Sequence, residues 1–432
     1  MKLDEKLEEL NKVYSVVRWN SQTLIMLEDF SVDERRSLSF QTKDGFLLWN
    51  ENNIVWEEDS SGKNKKIKAA KAWLEWHKRR QFSKLIFEPN SPPENGTYNL
   101  WTGFSYEPVE NKGKFDIFLD HLRVNICKED EKLYKWLLGW VADLFQKPER
   151  KLGTSIVMRG EMGVGKGVVA LHIGALIKRH YFAVMRAEHV TGRFNGHLAD
   201  TLLLFLDEAF WAGDKSAEGT LKSLVTEDYI PIELKGKDLY RIKSYLRLMI
   251  STNNDWAVPT GMKDERRFAI FDVGKNSQQN KPYFKAMQDQ LSNGGYEALL
   301  YFFLNYKYDQ FEVGKIPETQ GLLDQKLYAL SPELRWWYNC VCDEKIGNIE
   351  GWNVISRGLF YEAYIGFCKQ MNVRHPLDKK SLARSIQKIC PFKENKDRQN
   401  FGMGWEYVIL SINDCRENFE KMIGHKLNWE GE

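Results

Sequence analysis

Residues Gly160 to Gly167 read GEMGVGKG, a glycine, four residues, a second glycine and a lysine. Glycines at this spacing let successive backbone N–H groups converge on phosphate oxygens, and the adjacent Lys166 can neutralise their charge. The candidate cradle is Gly160, Glu161, Met162, Gly163, Val164, Gly165, Lys166, Gly167 and Val168. A Ser or Thr usually follows the lysine and ligates Mg²⁺; here the residue is Gly167. Mg²⁺ keeps several waters readily, so a water can replace that hydroxyl. Downstream, the apolar run Leu202 to Leu206 leads into Asp207 and Glu208. Carboxylates at the carboxyl end of a buried parallel strand sit where ligands bind in such sheets. Asp207 can hold a metal's hydration shell there, and Glu208 can orient or deprotonate an attacking water. A third run, LRLMISTNN, ends in Ser251, Thr252 and Asn253. The Asn253 amide can reach a terminal phosphate or water if its strand lies beside the one feeding the loop. DERRF then offers Arg266 and Arg267, suited to charge on a transferring phosphoryl group. Each piece has a plainer reading as a glycine turn, a strand end or a solvated charge cluster. Their order together points to nucleotide hydrolysis.

The elements needed to position these groups are legible nearby. Thr154 to Met158 is a short β-branched run ahead of the loop, and VVALHIGALIK after it reads as a helix. From about residue 150 to Val273, apolar runs alternate with helical segments, which predicts a parallel α/β sheet. Before it, Leu133, Trp136, Leu137, Trp140, Val141 and Leu144 recur at helical spacing until Pro148. From Val17 to about Glu58, including DGFLLWNENNIVWEED, the pattern is short and strand-like. Beyond GKNSQQNKP the chain reads as mostly helical.

A chain of 432 residues suggests two or three domains. A net charge of +2 excludes a global field for nucleic acid or anionic lipid, so any such site is a local patch. The six cysteines lack zinc spacing, the eight histidines show no HExxH, and no Asp-x-Asp pair in a primase context stands out in the first 150 residues. The charged, helix-like start has no apolar signal core, and no run is long enough to span a bilayer. These features lead us to expect a soluble, cytoplasmic protein with reduced cysteines and no membrane partner.

In order and spacing, the loop, "LDE", "STN" and an arginine before Phe268 resemble a superfamily 3 helicase, a branch of the AAA+ ATPases. YNLWTGF, LLGWVADLFQKP and GEMGVGKG together look like the D5-type primase-helicases of phages and mobile elements. The resemblance implies that Lys166 is the Walker A lysine, Asp207 and Glu208 are Walker B, and Asn253 is sensor 1. Arg267 is then the arginine finger acting in trans, with Arg266 the second candidate. It implies ATP and Mg²⁺ as cofactors, Mg²⁺ leaning on Asp207 and Glu208, and a homohexameric ring moving 3′ to 5′ on single-stranded or forked DNA. A separate primase or polymerase is the expected partner, in the host-cell cytoplasm if the gene is a phage's. The implied organisation is an α+β accessory or DNA-engaging region (1–114), a helical collar (115–149) and an AAA+ ATPase domain with a parallel sheet (150–275). A helical C-terminal region with a winged-helix unit follows (276–432).

Three stretches could meet nucleic acid. YIPIELKGKDLYRIK, between the second and third strands, reads as a hairpin with Lys235 and Lys237 at its tip. In the family, that hairpin enters the ring's pore, where a mobile ammonium suits sequence-independent phosphate contacts. The segment from Lys63 to Lys84 has nine cations against the single Glu75, with Trp73 and Trp76 among them. It reads equally as a single-strand surface or as a basic helix with buried tryptophans. HPLDKKSLARSIQKICPF puts Leu382, Ile386 and Ile389 on one face and Lys379, Lys380, Arg384 and Lys388 largely on the other. A winged-helix contact and a solvated face both fit. Two other functions remain open: a replication initiator or loader whose ATPase switches assembly state without processive unwinding, and a P-loop phosphotransferase that ignores DNA.

Overall fold

A computed structural model describes residues 2–19, 22–29, 37–58, 63–92, 94–185, 190, 192, 195–208, 215–233, 239–258, 260–261, 265–347, 352–396 and 405–429. After α1 (Leu3–Val13) come β1 (Tyr14–Trp19), β2 (Gln22–Asp29) and β3 (Ser37–Gln41), an antiparallel meander. The region read as short and strand-like then departs from expectation, because Lys43–Trp49 is a helix, α2. Thr42 caps it, its Oγ1 accepting from the Gly45 N–H at 3.2 Å, and that local cap outweighs the β-rich composition. β4 (Ile54–Glu58) and β5 (Asn64–Lys68) form a hairpin, followed by α3 (Ala69–Glu75). β6 (Gln81–Phe82) joins β1 in parallel, and β7 (Lys84–Ile86) pairs with β8 (Thr97–Asn99).

Leu7, Leu10, Tyr14, Phe46 and Trp73 share the core of this region. Trp73 is fully buried, and its indole N–H donates to Asn11 Oδ1 at 3.1 Å. It is a packing residue, so it offers no ring face to a nucleic-acid base; this corrects the single-strand reading for that residue. Trp76 is half-buried against the same cluster.

The segment expected to be a helical collar starts with α4 (Asp116–Asp120), widens into a π-helical turn at His121–Ile126 and continues as α5 (Glu131–Gln146). α5 is buried all round from Trp136 to Phe145, a wider burial than its heptad-like pattern implies. Asp143 at its end is fully buried and pairs with Arg247 at 3.0 Å and Arg150 at 3.0 Å. The Arg247 guanidinium also lies 5.6 Å from the Trp140 ring. Breaking a buried pair of this kind costs about 3–5 kcal/mol because one charge is left uncompensated.

β9 (Ser155–Arg159) runs into the glycine loop and α6 (Lys166–Ala175). β10 (Tyr181–Val184), β11 (Leu203–Asp207), the antiparallel hairpin β12 (Tyr229–Ile232) and β13 (Tyr240–Lys243), β14 (Arg247–Thr252) and β15 (Phe268–Asp272) follow. The sheet order is β10-β11-β14-β9-β15. Its strands are continuous apolar runs because both faces are covered; Ile156, Leu204, Leu248 and Ile270 have no exposed surface. The chain forms two compact units. One comprises Met1–Phe210, Lys215–Asn253 and Asp272–Lys315, and the other includes Asn254–Phe271 and Ile316–Glu432.

In the second unit the helix Pro332–Asp343 precedes β16 (Val354–Ser356), the helices Arg357–Gln370 and Lys379–Gln387, then β17 (Lys393–Lys396) and β18 (Trp405–Val408). The three strands are antiparallel in the order β16-β18-β17. Helix, strand, two helices and a two-stranded wing make a winged-helix arrangement. Trp337, Phe360, Tyr364, Leu382, Ile386 and Phe419 form its core. No described helix is long and apolar enough to cross a membrane. All six cysteines are unbridged, and five of them are buried.

Candidate nucleotide site

The loop between β9 and α6 turns on glycine. Gly163 and Gly165 have φ of +80° and +95°, conformations that side chains resist. A Cβ on Gly165 would lie 2.5 Å from His121 Cε1 and 2.8 Å from Phe284 Cε1, so that position is also closed by packing. Gly167 differs. A Cβ there would meet only the Phe205 ring, at 4.0 Å, which is ordinary contact. The missing hydroxyl therefore reflects no steric ban at position 167.

Lys166 opens α6 and is buried, with its ammonium turned into the loop. It donates to the carbonyls of Gly160 at 2.6 Å and Glu161 at 2.7 Å, and to Asn253 Oδ1 at 2.8 Å. Burial lowers its pKa, opposed by the nearby charges of Asp207 and Glu208. The two acids sit at the end of β11. Asp207 accepts a hydrogen bond from Ser251 Oγ, its register partner on β14. Glu208 adopts φ +54°, a rare left-handed state for a residue with a side chain. Its N–H donates to the Ser251 carbonyl at 3.0 Å, and its Oε1 accepts from Asn253 Nδ2 at 3.0 Å.

Asn253 therefore bridges the loop lysine and the strand-end acid. Its amide orientation follows from its partners, since an ammonium only donates and a carboxylate only accepts. The bridge exists because β14 is inserted between β9 and β11, with Thr252 level with Arg159 on one side and Ser251 with Asp207 on the other. Strained backbone and convergent charged groups at the carboxyl edge of a parallel sheet are features of ligand sites.

Below the loop is a cradle that the sequence did not signal. His121 Nε2 lies 3.3 Å from the Gly165 carbonyl, and its Nδ1 lies 3.3 Å from Asn125 Nδ2. Burial pushes the His121 pKa down to about 4, so the ring is neutral near pH 7. Nε2 must then carry the proton given to the carbonyl, while Nδ1 accepts from Asn125. Asn125 also donates to Ser277 Oγ at 2.9 Å. From above, Glu161 pairs with Lys275 and accepts from Gln278 at 2.9 Å, and the Gln279 N–H donates to the Gly163 carbonyl at 2.9 Å. None of these contacts has a short-range sequence pattern; His121 lies far upstream of the loop.

Lys166, Asp207, Glu208 and Asn253 all lie in the first unit. Arg266 and Arg267 lie in the second, where their N–H groups donate to Glu265 Oε1 at 3.1 and 2.8 Å. Arg266 is exposed and Arg267 half-buried. β12 and β13 form the expected antiparallel arms, with Ile230 and Ile232 buried; the tip, including Lys235 and Lys237, lies outside the described residues. Among the described residues no cluster of three or more His, Cys, Asp or Glu could hold a metal. A divalent cation here would take Asp207 and Glu208 from this chain and fill its shell with ligand oxygens and water. That donor set suits Mg²⁺, which binds through one or two carboxylates plus phosphates.

Comparison with known proteins adds three findings. The model described as "Family of unknown function (DUF5906)" matches residues 158–267, a span containing the loop, both acids, Asn253 and the arginine pair. No curated protein matches the sequence. Among solved structures, an apo structure of the NrS-1 C terminal region aligns with a TM-score of 0.63 at 16% identity, covering 94% of this chain and 98% of that one. Its A form aligns with a TM-score of 0.65 at 16% identity, with the same coverage. At this identity the likeness is one of fold.

Proposed function

We propose that this chain is an ATP-driven DNA helicase of phage or mobile-element replication, working as a ring on single-stranded DNA. The observation that carries the reading is Asn253, joined at once to Lys166 and Glu208 at the carboxyl edge of a parallel sheet. A group in that place can sense a terminal phosphate and report it to the acid that handles water. The sequence resemblance to superfamily 3 helicases and the fold-level likeness to the NrS-1 C terminal region support the same reading.

On binding ATP, Lys166 leaves the loop carbonyls for the β- and γ-phosphates, and the loop N–H groups and the α6 N-terminus receive phosphate oxygens. Asp207 would hold Mg²⁺, whose remaining ligands would be phosphate oxygens and water, and the ion would supply charge neutralisation when bound. Glu208 orients the attacking water and accepts its proton. Arg267 of a neighbouring protomer, or Arg266, stabilises the departing phosphoryl charge. Lys235 and Lys237 hold backbone phosphates in the pore, and loss of the Asn253 contact after hydrolysis lets that hairpin shift.

The test is hydrolysis and unwinding measured together. Single-stranded DNA should stimulate turnover roughly tenfold or more, and Lys235→Ala/Lys237→Ala should keep basal hydrolysis while losing forked-duplex unwinding. Hydrolysis indifferent to DNA would favour a phosphotransferase. DNA-stimulated hydrolysis that melts only a stoichiometric amount of duplex would favour an initiator or loader. A smaller effect concerns Gly167→Ser. The space at that position predicts a folded protein whose half-saturating Mg²⁺ concentration for turnover falls several-fold; an unchanged Mg²⁺ titration would show that position 167 does not face the metal.

A further inference from the structure

The winged-helix region holds an open cleft of about 1020 Å³, walled by the helix Lys379–Gln387, the start of the helix Arg357–Gln370 and the β17–β18 ribbon. Its charged wall is Lys379, Lys380, Arg384 and Arg357, with Glu394 as the one acid. Across residues 379–396 there are six cations and that single carboxylate, in a protein whose net charge is only +2. Glu394 is spent on Arg357, to which it is ion-paired. Lys379, Lys380 and Arg384 are exposed and form no ion pair among the described residues.

Two features separate this cleft from a generic solvated face. The Arg357 guanidinium lies over Trp405 at 4.8 Å and over Tyr407 at 5.4 Å and pairs with Glu394, so it ties the β17–β18 ribbon to the helix start and sets the floor of the cleft. The basic helix is also rigidly mounted. Asp378 Oδ1 caps it at the N–H groups of Lys380 and Ser381, at 2.9 and 3.0 Å, and Leu382 and Ile386 are fully buried beneath it. The cations at 380 and 384 are one turn apart and project from the same stripe.

We propose that this cleft docks double-stranded DNA, with the helix Lys379–Gln387 in the major groove and backbone phosphates held by Lys379, Lys380 and Arg384. The helix is roughly 13 Å long and convex, which a major groove about 12 Å wide admits. Single strands are the poorer fit. Such sites depend on several aromatic faces for base stacking, and here Tyr407 is buried and one face of the half-exposed Trp405 ring is taken by Arg357. The contact goes beyond the pore reading and needs no ATP: the unit would hold duplex while the ring works on one strand.

The experiment is fluorescence anisotropy of the full chain without nucleotide, using a labelled 20-base-pair duplex and a 20-nucleotide oligo(dT) across a salt series. Lys379→Ala/Lys380→Ala/Arg384→Ala should weaken duplex binding by about 30-fold or more. It should also lower the slope of log K against log salt by two to three units, since each lost phosphate contact contributes about 0.9. Oligo(dT) affinity and basal hydrolysis should stay within twofold, and Lys379→Arg/Lys380→Arg should retain duplex binding. Unchanged duplex affinity in the triple variant overturns the proposal, as does an equal loss for duplex and oligo(dT), which would mark an indiscriminate polyanion surface. Failure of the wild-type chain to bind duplex overturns it too, whatever the ATPase does.

Discussion

Lys166→Ala should lower ATP turnover by about 10³-fold or more while leaving the fold in place. The ammonium is held within hydrogen-bond reach of the loop interior, where it meets two carbonyls and Asn253. Its charge is what the β- and γ-phosphates would need, in a site where partial burial makes each charge count for more than in water. Stability should change little. Removing three hydrogen bonds, worth about 1 kcal/mol each net, is offset by no longer holding a charged group away from solvent. The measurement is steady-state hydrolysis beside a thermal melt and titration with a fluorescent ATP analogue. Wild-type turnover in a folded variant would place the catalytic site elsewhere in the chain.

Glu208→Gln should separate binding from chemistry. The side chain keeps its shape, and the residue is exposed, so neither packing nor the fold is at stake. Glutamine can still accept from Asn253, which leaves the bridge to Lys166 intact. It cannot take a proton from water, and loss of a general base typically costs 10²–10⁴-fold. The expected variant therefore binds ATP analogue like the wild type, hydrolyses it at least about 100-fold more slowly, and still binds single-stranded DNA. Equal losses of binding and turnover would point instead to a metal-holding role for Glu208. Turnover at the wild-type rate would remove Glu208 from the chemistry altogether.

The positive φ at Glu208 gives this second expectation a structural control. Backbone strain of this kind costs on the order of 1 kcal/mol and persists where surrounding contacts impose it. Here the Glu208 N–H is fixed by the Ser251 carbonyl, and the carboxylate is turned back toward Asn253. Asn253→Ala would release that side chain without touching the acid itself. Comparing it with Glu208→Gln therefore distinguishes aiming the carboxylate from supplying it.

Much of the candidate nucleotide site was readable from local pattern. A glycine loop between a β-branched run and a helix is a contiguous object, and its conformation is set by residues a few positions apart. The apolar run ending at Asp207 is equally self-contained, because a strand buried on both faces must be apolar throughout. The two faces of the helix Lys379–Gln387 were visible for the same reason: periodicity reports which side of an element is buried. It does not report what that side is buried against. Trp73 shows the limit, since a tryptophan among cations has the same sequence signature whether it stacks on a base or packs on Tyr14 and Phe46.

By itself, then, the sequence determined the loop, the acids, the candidate asparagine and arginines, and the amphipathic basic helix. Tertiary structure alone decided that β14 lies between β9 and β11, and this puts Asn253 in contact with both Lys166 and Glu208. It also decided that His121 and Asn125 support the loop from below, and that Arg357 and Trp405 complete the cleft beside the basic helix. The physical reason is common to all three. Strand order and helix docking are fixed by burying apolar faces that distant segments share, and the polar groups carried on those segments meet only once that burial has been satisfied.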